Sequence, residues 1–361
     1  MKILQVVNSL DTGGAQTLIE FLASSDQRNQ HLVAVLLGKD AMSERVEALT
    51  NVTYLNLTKN FLSFFLGSWR LFKLVQKEKP DLIHSHLLQS DILSVLVSKL
   101  TGIVNVSTVH TTGFTSQDSM QSRLLSRVMP FLSKAQGINV ACSKSALKYM
   151  LKAGYSKEKT SIVLNSTFAV RLVEQKEHSD RFLCLSRFHP MKDHRNLLLA
   201  WKELCSKNET AHLVLAGSGV TENNKELCML MDELGLHSRV SLLGPRKDVQ
   251  SLLSKTKFLV ISSRWGEALP MAGLEALARG VPVITTDVGD CKDLVVDPTF
   301  LVNPGDASQL AIALLTCANM TQDEYEDYRG KSLSLFQTNF SPDHTLMSYQ
   351  SIYQKLVAGH D

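Results

Sequence analysis

The segment richest in usable chemistry runs Gly266-Glu-Ala-Leu-Pro-Met-Ala-Gly-Leu-Glu-Ala-Leu-Ala-Arg-Gly-Val-Pro-Val-Ile284. Two glutamates, Glu267 and Glu275, flank a short loop and the opening of a helix, and Gly280 and Pro282 end that helix and start a strand. A carboxylate such as Glu275 in an otherwise apolar helix start is costly to bury unless it accepts hydrogen bonds. Two ribose hydroxyls would supply them, and Glu267 could do the same for hexose hydroxyls. The helix N-terminus between the two favours a phosphate. A second segment, Leu185-Ser-Arg-Phe-His-Pro-Met-Lys192, places Arg187 and Lys192 just beyond a strand. Two cations so placed suit the oxygens of a diphosphate, the arginine in bidentate fashion. A third, Thr12-Gly-Gly-Ala-Gln16, follows the first strand and opens a helix. Gly13 and Gly14 let backbone N–H groups approach a phosphate where the helix dipole adds positive charge. It is not the G-x-G-x-x-G dinucleotide fingerprint. Taken alone, the last two segments are equally a solvated loop and a tight strand-to-helix turn.

The elements that must hold these residues are short apolar runs separated by helical patterns. In the first half the runs are 3–7, 32–37, 52–57, 82–86, 104–110, 138–143 and 162–164; in the second they are 182–186, 212–216, 240–243, 258–262, 281–285 and 300–302. Runs this apolar suit strands covered on both faces, and their alternation with helices predicts a parallel, doubly wound sheet. Two Rossmann-like domains in tandem follow, with expected bounds 1–168 and 180–340. The polar stretch Arg171–Asp180 is the expected linker. The tail, 341–361, carries Leu346, Tyr349, Ile352, Tyr353 and Leu356 at helical spacing, and is expected to pack back toward the first domain. Ligands of such folds bind beyond the carboxyl ends of the strands, which predicts a site in an interdomain cleft.

Length and composition agree with this plan. The chain has 361 residues, enough for two domains, and a formal net charge of +3, so no general nucleic-acid footprint exists. Cys142, Cys184, Cys205, Cys228, Cys291 and Cys317 form no C-x-x-C pair and no zinc-type cluster, and are expected to be free thiols in a reducing compartment. A strand follows directly on Met1-Lys2, and no apolar stretch is long enough to span a bilayer, so a cytoplasmic protein is expected. One segment is unusually aromatic, Phe61-Leu-Ser-Phe-Phe-Leu-Gly-Ser-Trp-Arg-Leu-Phe-Lys73. A helical reading puts Leu62, Phe65, Trp69 and Phe72 on a sheet-facing line and Arg70, Lys73 and Lys77 on a basic stripe. The surplus aromatics make residues 61–77 a candidate contact with an anionic membrane surface.

These features occur in one order together with Pro80-Asp-Leu-Ile-His-Ser-His86, His110, Asn165, Leu215-Ala-Gly-Ser-Gly219 and Gly289-Asp290. In that order the chain resembles, over nearly its whole length, the retaining glycosyltransferases of GT-B fold known as group 1 or family four. The resemblance implies transfer of a hexose-type sugar from a nucleotide-sugar donor, with retention, onto a saccharide or lipid-linked saccharide, in the building of bacterial surface polysaccharides such as lipopolysaccharide. It implies that Arg187 and Lys192 bind the diphosphate, that Glu275 binds the ribose, that Glu267 binds the transferred sugar and that His110 lies close to it. It places Gly13, Gly14, Gly217 and Leu269 at the donor. Departures are Ala268, where the family often has glycine, and Asn165-Ser166, where it often has Asn-Gly. His84 and His86 look like a metal pair but match a family motif with no metal role, and the chain has no D-x-D motif. No metal and no cofactor beyond the nucleotide-sugar co-substrate are therefore expected. The rival readings are an epimerase or hydrolase on the same fold, which needs further acid/base carboxylates, and a non-catalytic nucleotide-sugar binder, which should lack Arg187, Lys192 or Glu275.

Overall fold

A computed structural model describes residues 1–11, 13–58, 61–114, 119–168 and 181–359. The stretch 171–180, read above as a linker, lies outside the described residues. The chain divides into two compact units, Met1–Thr167 with Pro342–Asp361, and Phe168–Ser341.

The first unit holds β1 (Lys2–Val7), β2 (Gln30–Val35), β3 (Asn51–Tyr54), β4 (Leu82–His86), β5 (Val104–Val109), β6 (Ile138–Ala141) and β7 (Thr160–Ile162). They form one sheet in the order β3-β2-β1-β4-β5-β6-β7, every pair parallel. The second unit holds β8 (Arg181–Leu185), β9 (His212–Ala216), β10 (Val240–Leu242), β11 (Phe258–Ile261), β12 (Val283–Thr286) and β13 (Leu301–Val302), in the parallel order β10-β9-β8-β11-β12-β13. Each apolar run of the sequence is one of these strands. The reason is burial on both faces: every residue of β11, Phe-Leu-Val-Ile, is buried, which favours Val, Ile, Leu and Phe over an alternating pattern.

Both sheets reverse direction of growth at their centre. From β1 the chain builds outward to β3 and returns to add β4 on the other side; from β8 it builds outward to β10 and returns to add β11. The loops leaving β1 and β4, and those leaving β8 and β11, therefore diverge and open a crevice at the strands' carboxyl ends. Rigid aromatic packing holds the second crevice. Phe182 stacks on Phe258 at 5.4 Å between ring centroids and meets Trp201 edge-on at 5.3 Å. All three are fully buried, and each phenylalanine contributes about 1.5–3 kcal/mol.

The aromatic helix Phe61–Glu78 corrects one expectation. Phe65 and Trp69 do not face the sheet: they are 62% and 57% exposed, beside an exposed Leu66. Leu71, Leu74 and Val75 form the buried face, and of the expected line Phe72 packs half-buried against it. Gly67 allows the close approach, because a Cβ there would meet Leu57 Cδ1 at 2.5 Å. The basic stripe is also divided. Arg70 donates to the backbone carbonyls of Leu55 and Asn56, Lys77 pairs with Glu78 at 3.6 Å, and Lys73 lies over the Trp69 ring at 5.4 Å. The side chains of Phe61, Leu62 and Phe64 lie outside the described residues.

The last helix, Pro342–Ala358, belongs to the first unit. Thr345 Oγ1 donates to the Leu164 carbonyl at 3.0 Å, and Tyr349, Gln350 and Tyr353 are buried.

Candidate active site

In the second unit the loops after β8 and β11 are laced together at the switch point. Ser262 Oγ donates to the Lys192 carbonyl at 2.8 Å, and the Arg264 N–H donates to the Met191 carbonyl at 2.7 Å. These bonds bring Lys192 against Glu267 as an ion pair, and Ser263 Oγ donates to the same Glu267 oxygen, Oε1. Oε2 takes part in neither bond. The Lys192 side chain is 18% exposed and that of Glu267 only 7%. A carboxylate so enclosed is satisfied by a cation and a hydroxyl.

Arg187 leaves β8 on the same edge and differs from Lys192. It is exposed and has no ion-pair or hydrogen-bond partner among the described residues. An unpaired guanidinium beside a paired ammonium leaves a local excess of positive charge. His194, which begins the helix His194–Cys205, adds none. Its Nε2 bonds Ser186 Oγ at 3.1 Å, and burial, then the nearby Lys192, hold its pKa down to about 4. The helix entry is fixed by Asp193, whose left-handed backbone (φ 48°) lets its carboxylate accept from the Asn196 N–H.

Two glycines make the geometry possible. A Cβ on Gly289 would lie 1.9 Å from the Glu267 carbonyl oxygen, and one on Gly217 would lie 2.1 Å from that of Ser186. Both have positive φ, 59° and 153°. Gly217 thus has a packing reason of its own, and its N–H is already donated to the Gly244 carbonyl at 2.8 Å. Leu269 is buried in the loop after Glu267. Glu275 sits half-buried on the short helix Met271–Leu277 and attracts the Arg279 guanidinium one turn on.

In the first unit the helix Gly14–Ser25 starts at the switch point without a side-chain cap, so its first N–H groups have no intrahelical partner. Gly13 has extended backbone (φ 178°), and a Cβ there would meet only the flexible Gln16 side chain. Thr12 lies outside the described residues. His110 follows β5, and its Nε2 meets His86 Nδ1 at 3.3 Å. Burial lowers the His110 pKa to about 4, so the ring is neutral, and its Nδ1 has no partner among the described residues. His84 bonds Tyr353 and Thr108, each at 2.8 Å, and His86 bonds Gln5 and His110. Both nitrogens of each ring are thus engaged. Among the described residues no group of three His, Cys, Asp or Glu side chains has the geometry to hold a metal.

Sequence reasoning singled out Lys192 and Glu267 separately but not their pairing. It missed Ser262, Ser263 and His194 altogether. The available signal was position, since all three stand just past the ends of β11 and β8, where a doubly wound sheet binds ligands.

Known proteins bear on this arrangement unit by unit. Residues 12–167 match the model described as Glycosyltransferase Family 4, and residues 170–329 match that of Glycosyl transferases group 1. The chain is 25% identical, over 68% of each chain, to an Escherichia coli UDP-Gal:alpha-D-GlcNAc-diphosphoundecaprenol alpha-1,3-galactosyltransferase. It is 21% identical, over 98% of each chain, to the Escherichia coli O-antigen biosynthesis glycosyltransferase WbnH. Among solved structures, Anabaena HepE in complex with UDP and glucose superposes with a TM-score of 0.84, at 21% identity over 98% of this chain and 99% of that one. With a glycosyltransferase model matched in each of its two α/β units, the chain belongs to the group 1 glycosyltransferases of GT-B fold.

Proposed function

We propose that this glycosyltransferase moves a hexose-type sugar from a nucleoside-diphosphate sugar to a saccharide or lipid-linked saccharide, with retention at the anomeric carbon, in bacterial surface polysaccharide synthesis. The observation that carries this reading is the cationic switch point of the second unit, where Arg187 has no partner among the described residues and Lys192 is held beside Glu267. Negative charge grows on a departing diphosphate as the glycosidic bond breaks, and preorganised cations stabilise it there. Glu267 Oε2 accepts from a sugar hydroxyl, while Lys192 turns toward the phosphate. The acceptor hydroxyl approaches on the leaving-group face and passes its proton to a phosphate oxygen. Gly13 and Gly14 offer backbone N–H groups to a phosphate, and Leu269 lines the donor pocket. Two neighbours support the donor class by name, the galactosyltransferase through UDP-Gal and HepE through UDP, which makes a UDP-sugar the first donor to assay.

Glu275 tests the reading at the ribose. Glu275→Gln keeps the shape but loses a charge-assisted acceptor, about 1.5–3 kcal/mol. Titration calorimetry with UDP should show affinity lower by about 10–100-fold. Unchanged affinity would move Glu275 from the site to the scaffold. The cations of the protein take the place that a metal would fill, so transfer should persist in excess EDTA. Loss of activity on chelation, restored by Mg²⁺ or Mn²⁺, would refute that part of the mechanism.

The acceptor's lipid anchor connects to the exposed aromatic helix. No helix among the described residues is long and apolar enough to cross a membrane. Phe65, Leu66 and Trp69 are nonetheless exposed together with Lys73 over the Trp69 ring, a combination suited to the surface of an anionic leaflet. The enzyme is thereby docked on the cytoplasmic face of the membrane, where each nearby cation adds about 1 kcal/mol. Wild type should pellet with anionic liposomes, less so at high salt, and a Phe65→Ser, Trp69→Ser double variant should stay in the supernatant. Equal pelleting of the two proteins, or none by either, would rule the helix out as an anchor.

A further inference from the structure

The first unit contains a line of polar side chains that no part of the transfer chemistry above uses. His31 on β2, Gln5 on β1 and His86 on β4 are each at most 4% exposed. Isolated polar groups in doubly covered strands are costly unless they bond one another, and these do. Asp26 Oδ2 meets His31 Nε2 at 3.1 Å, His31 Nδ1 meets Gln5 Nε2 at 2.9 Å, Gln5 Oε1 meets His86 Nε2 at 2.7 Å, and His86 Nδ1 meets His110 Nε2 at 3.3 Å.

The strand register explains the alignment. His31 pairs with Ile3, Gln5 with His84, and His86 with Thr108. Each step to the next strand therefore advances two residues toward the carboxyl edge and stays on one face of the sheet, because side chains alternate with period two. The line climbs from Asp26, in the turn before β2, to His110 at the edge where ligands of such sheets bind. The helix Pro342–Ala358 covers it. Gln350 Nε2 donates to Asp26 Oδ1 at 2.7 Å, and the Tyr353 hydroxyl lies against His84 and Gln5.

Such a chain has a direction. Burial alone would raise the Asp26 pKa, but hydrogen bonds from His31, Asn29 and Gln350 hold it down to about 2, so the carboxylate only accepts. His31 Nε2–H donates to it, and the Gln5 amide N–H donates to the bare His31 Nδ1. Gln5 Oε1 only accepts, so His86 carries its proton on Nε2. His86 is neutral, its pKa driven well below the ordinary value by burial and then by His84 and His110. Its bare Nδ1 accepts from His110 Nε2–H. The atom at the end of the line is His110 Nδ1, which then carries a lone pair and no proton, and which has no partner among the described residues.

We propose that Asp26, His31, Gln5 and His86 are positioning residues that fix the tautomer of His110, so that its Nδ1 is presented as an acceptor to a sugar hydroxyl at the carboxyl edge of the first sheet. This rests on the glycosyl-transfer reading proposed above. A histidine in the opposite tautomer would turn an N–H toward that hydroxyl and would no longer accept from it.

The test has a spectroscopic arm and a kinetic arm. Long-range ¹H–¹⁵N correlation spectra of ligand-free protein labelled at histidine nitrogens distinguish bare from protonated ring nitrogens. Wild type should show His110, His86 and His31 all protonated at Nε2 and bare at Nδ1. Gln5→Met cuts the line and should give His110 a mixture of tautomers. Gln5→Glu still accepts from His86 and should keep the wild-type tautomer at His110. Removing the partner that orients a metal-ligating histidine costs about 10–100-fold in affinity or activity, and by analogy kcat/KM should fall by about that factor in Gln5→Met and recover in Gln5→Glu. A proton on His110 Nδ1 in wild type overturns the proposal without any variant having to fold. So does an unchanged His110 tautomer in Gln5→Met, or a scrambled one with unchanged kcat/KM. Failure of the glycosyl-transfer reading would instead appear as absent donor binding by wild type, a separate measurement from the ligand-free spectra.

Discussion

Arg187→Ala is expected to lower turnover at saturating donor by about 10²–10³, the usual loss when one preorganised group facing a developing anion is removed, and to leave thermal stability unchanged. Arg187 is exposed and bonds nothing among the described residues, so its deletion leaves no buried group unsatisfied. Lys192→Ala should lower turnover by a similar factor but also destabilise the fold. It strips the cation from Glu267, whose side chain is only 7% exposed, and breaking a buried pair on one side costs roughly 3–5 kcal/mol. For a unit of this size that corresponds to a fall in melting temperature of about 6–20 °C. The contrast between the two variants is the informative result. Equal stability in both would mean that Glu267 does not depend on Lys192. Near-wild-type turnover in both would remove the diphosphate assignment.

Gly217→Ala is expected to have a large effect on folding. A methyl group there would lie 2.1 Å from the Ser186 carbonyl oxygen and 2.9 Å from the Arg187 nitrogen, on backbone with φ 153°. Neither neighbour is a side chain that can rotate away. The strand ends of β8 and β9 would have to separate where Arg187 leaves the sheet. Strain of this kind costs about 1–3 kcal/mol from the backbone conformation alone, and the clash adds to it, so a total above about 4 kcal/mol, in the exceptional range for a single substitution, is expected. Denaturant unfolding of the variant should show a lower midpoint with little soluble protein at 37 °C. Gly330→Ala is the matched control: nothing lies within 4 Å of a Cβ there, and in a helix alanine is favoured over glycine. Wild-type stability in Gly217→Ala would contradict the close packing of the two loops.

Much of this architecture is legible in the sequence because the strands are buried on both faces. Runs such as Phe182–Leu185 and Phe258–Ile261 announce themselves by continuous burial-compatible residues, and the turns after them carry the charged side chains. Arg187, Lys192 and Glu267 could be found for that reason. What stays hidden is nonlocal. Lys192 and Glu267 are 75 residues apart, and only the sheet order, with β11 added next to β8, brings their loops together. The line from Asp26 to His110 is hidden for the same reason: it draws one polar residue from each of several strands, and no local pattern marks a single glutamine or histidine in an apolar run. The helix Phe61–Glu78 was misread on chemistry rather than distance. Large aromatics suggested the buried face, but the sheet takes the smaller Leu71, Leu74 and Val75, with Gly67 setting the spacing.

The central claim is that the switch point of the second unit binds the diphosphate of a nucleotide-sugar. Titration calorimetry of UDP, GDP and ADP against wild type and Arg187→Ala tests it without knowledge of the acceptor. One nucleoside diphosphate should bind wild type with a stoichiometry near one, and its affinity should fall about 10-fold or more in Arg187→Ala, since a hydrogen bond to a charged group is worth roughly 1.5–3 kcal/mol. Binding of none of the three to folded wild type, or equal binding of the same diphosphate by both proteins, would contradict the assignment.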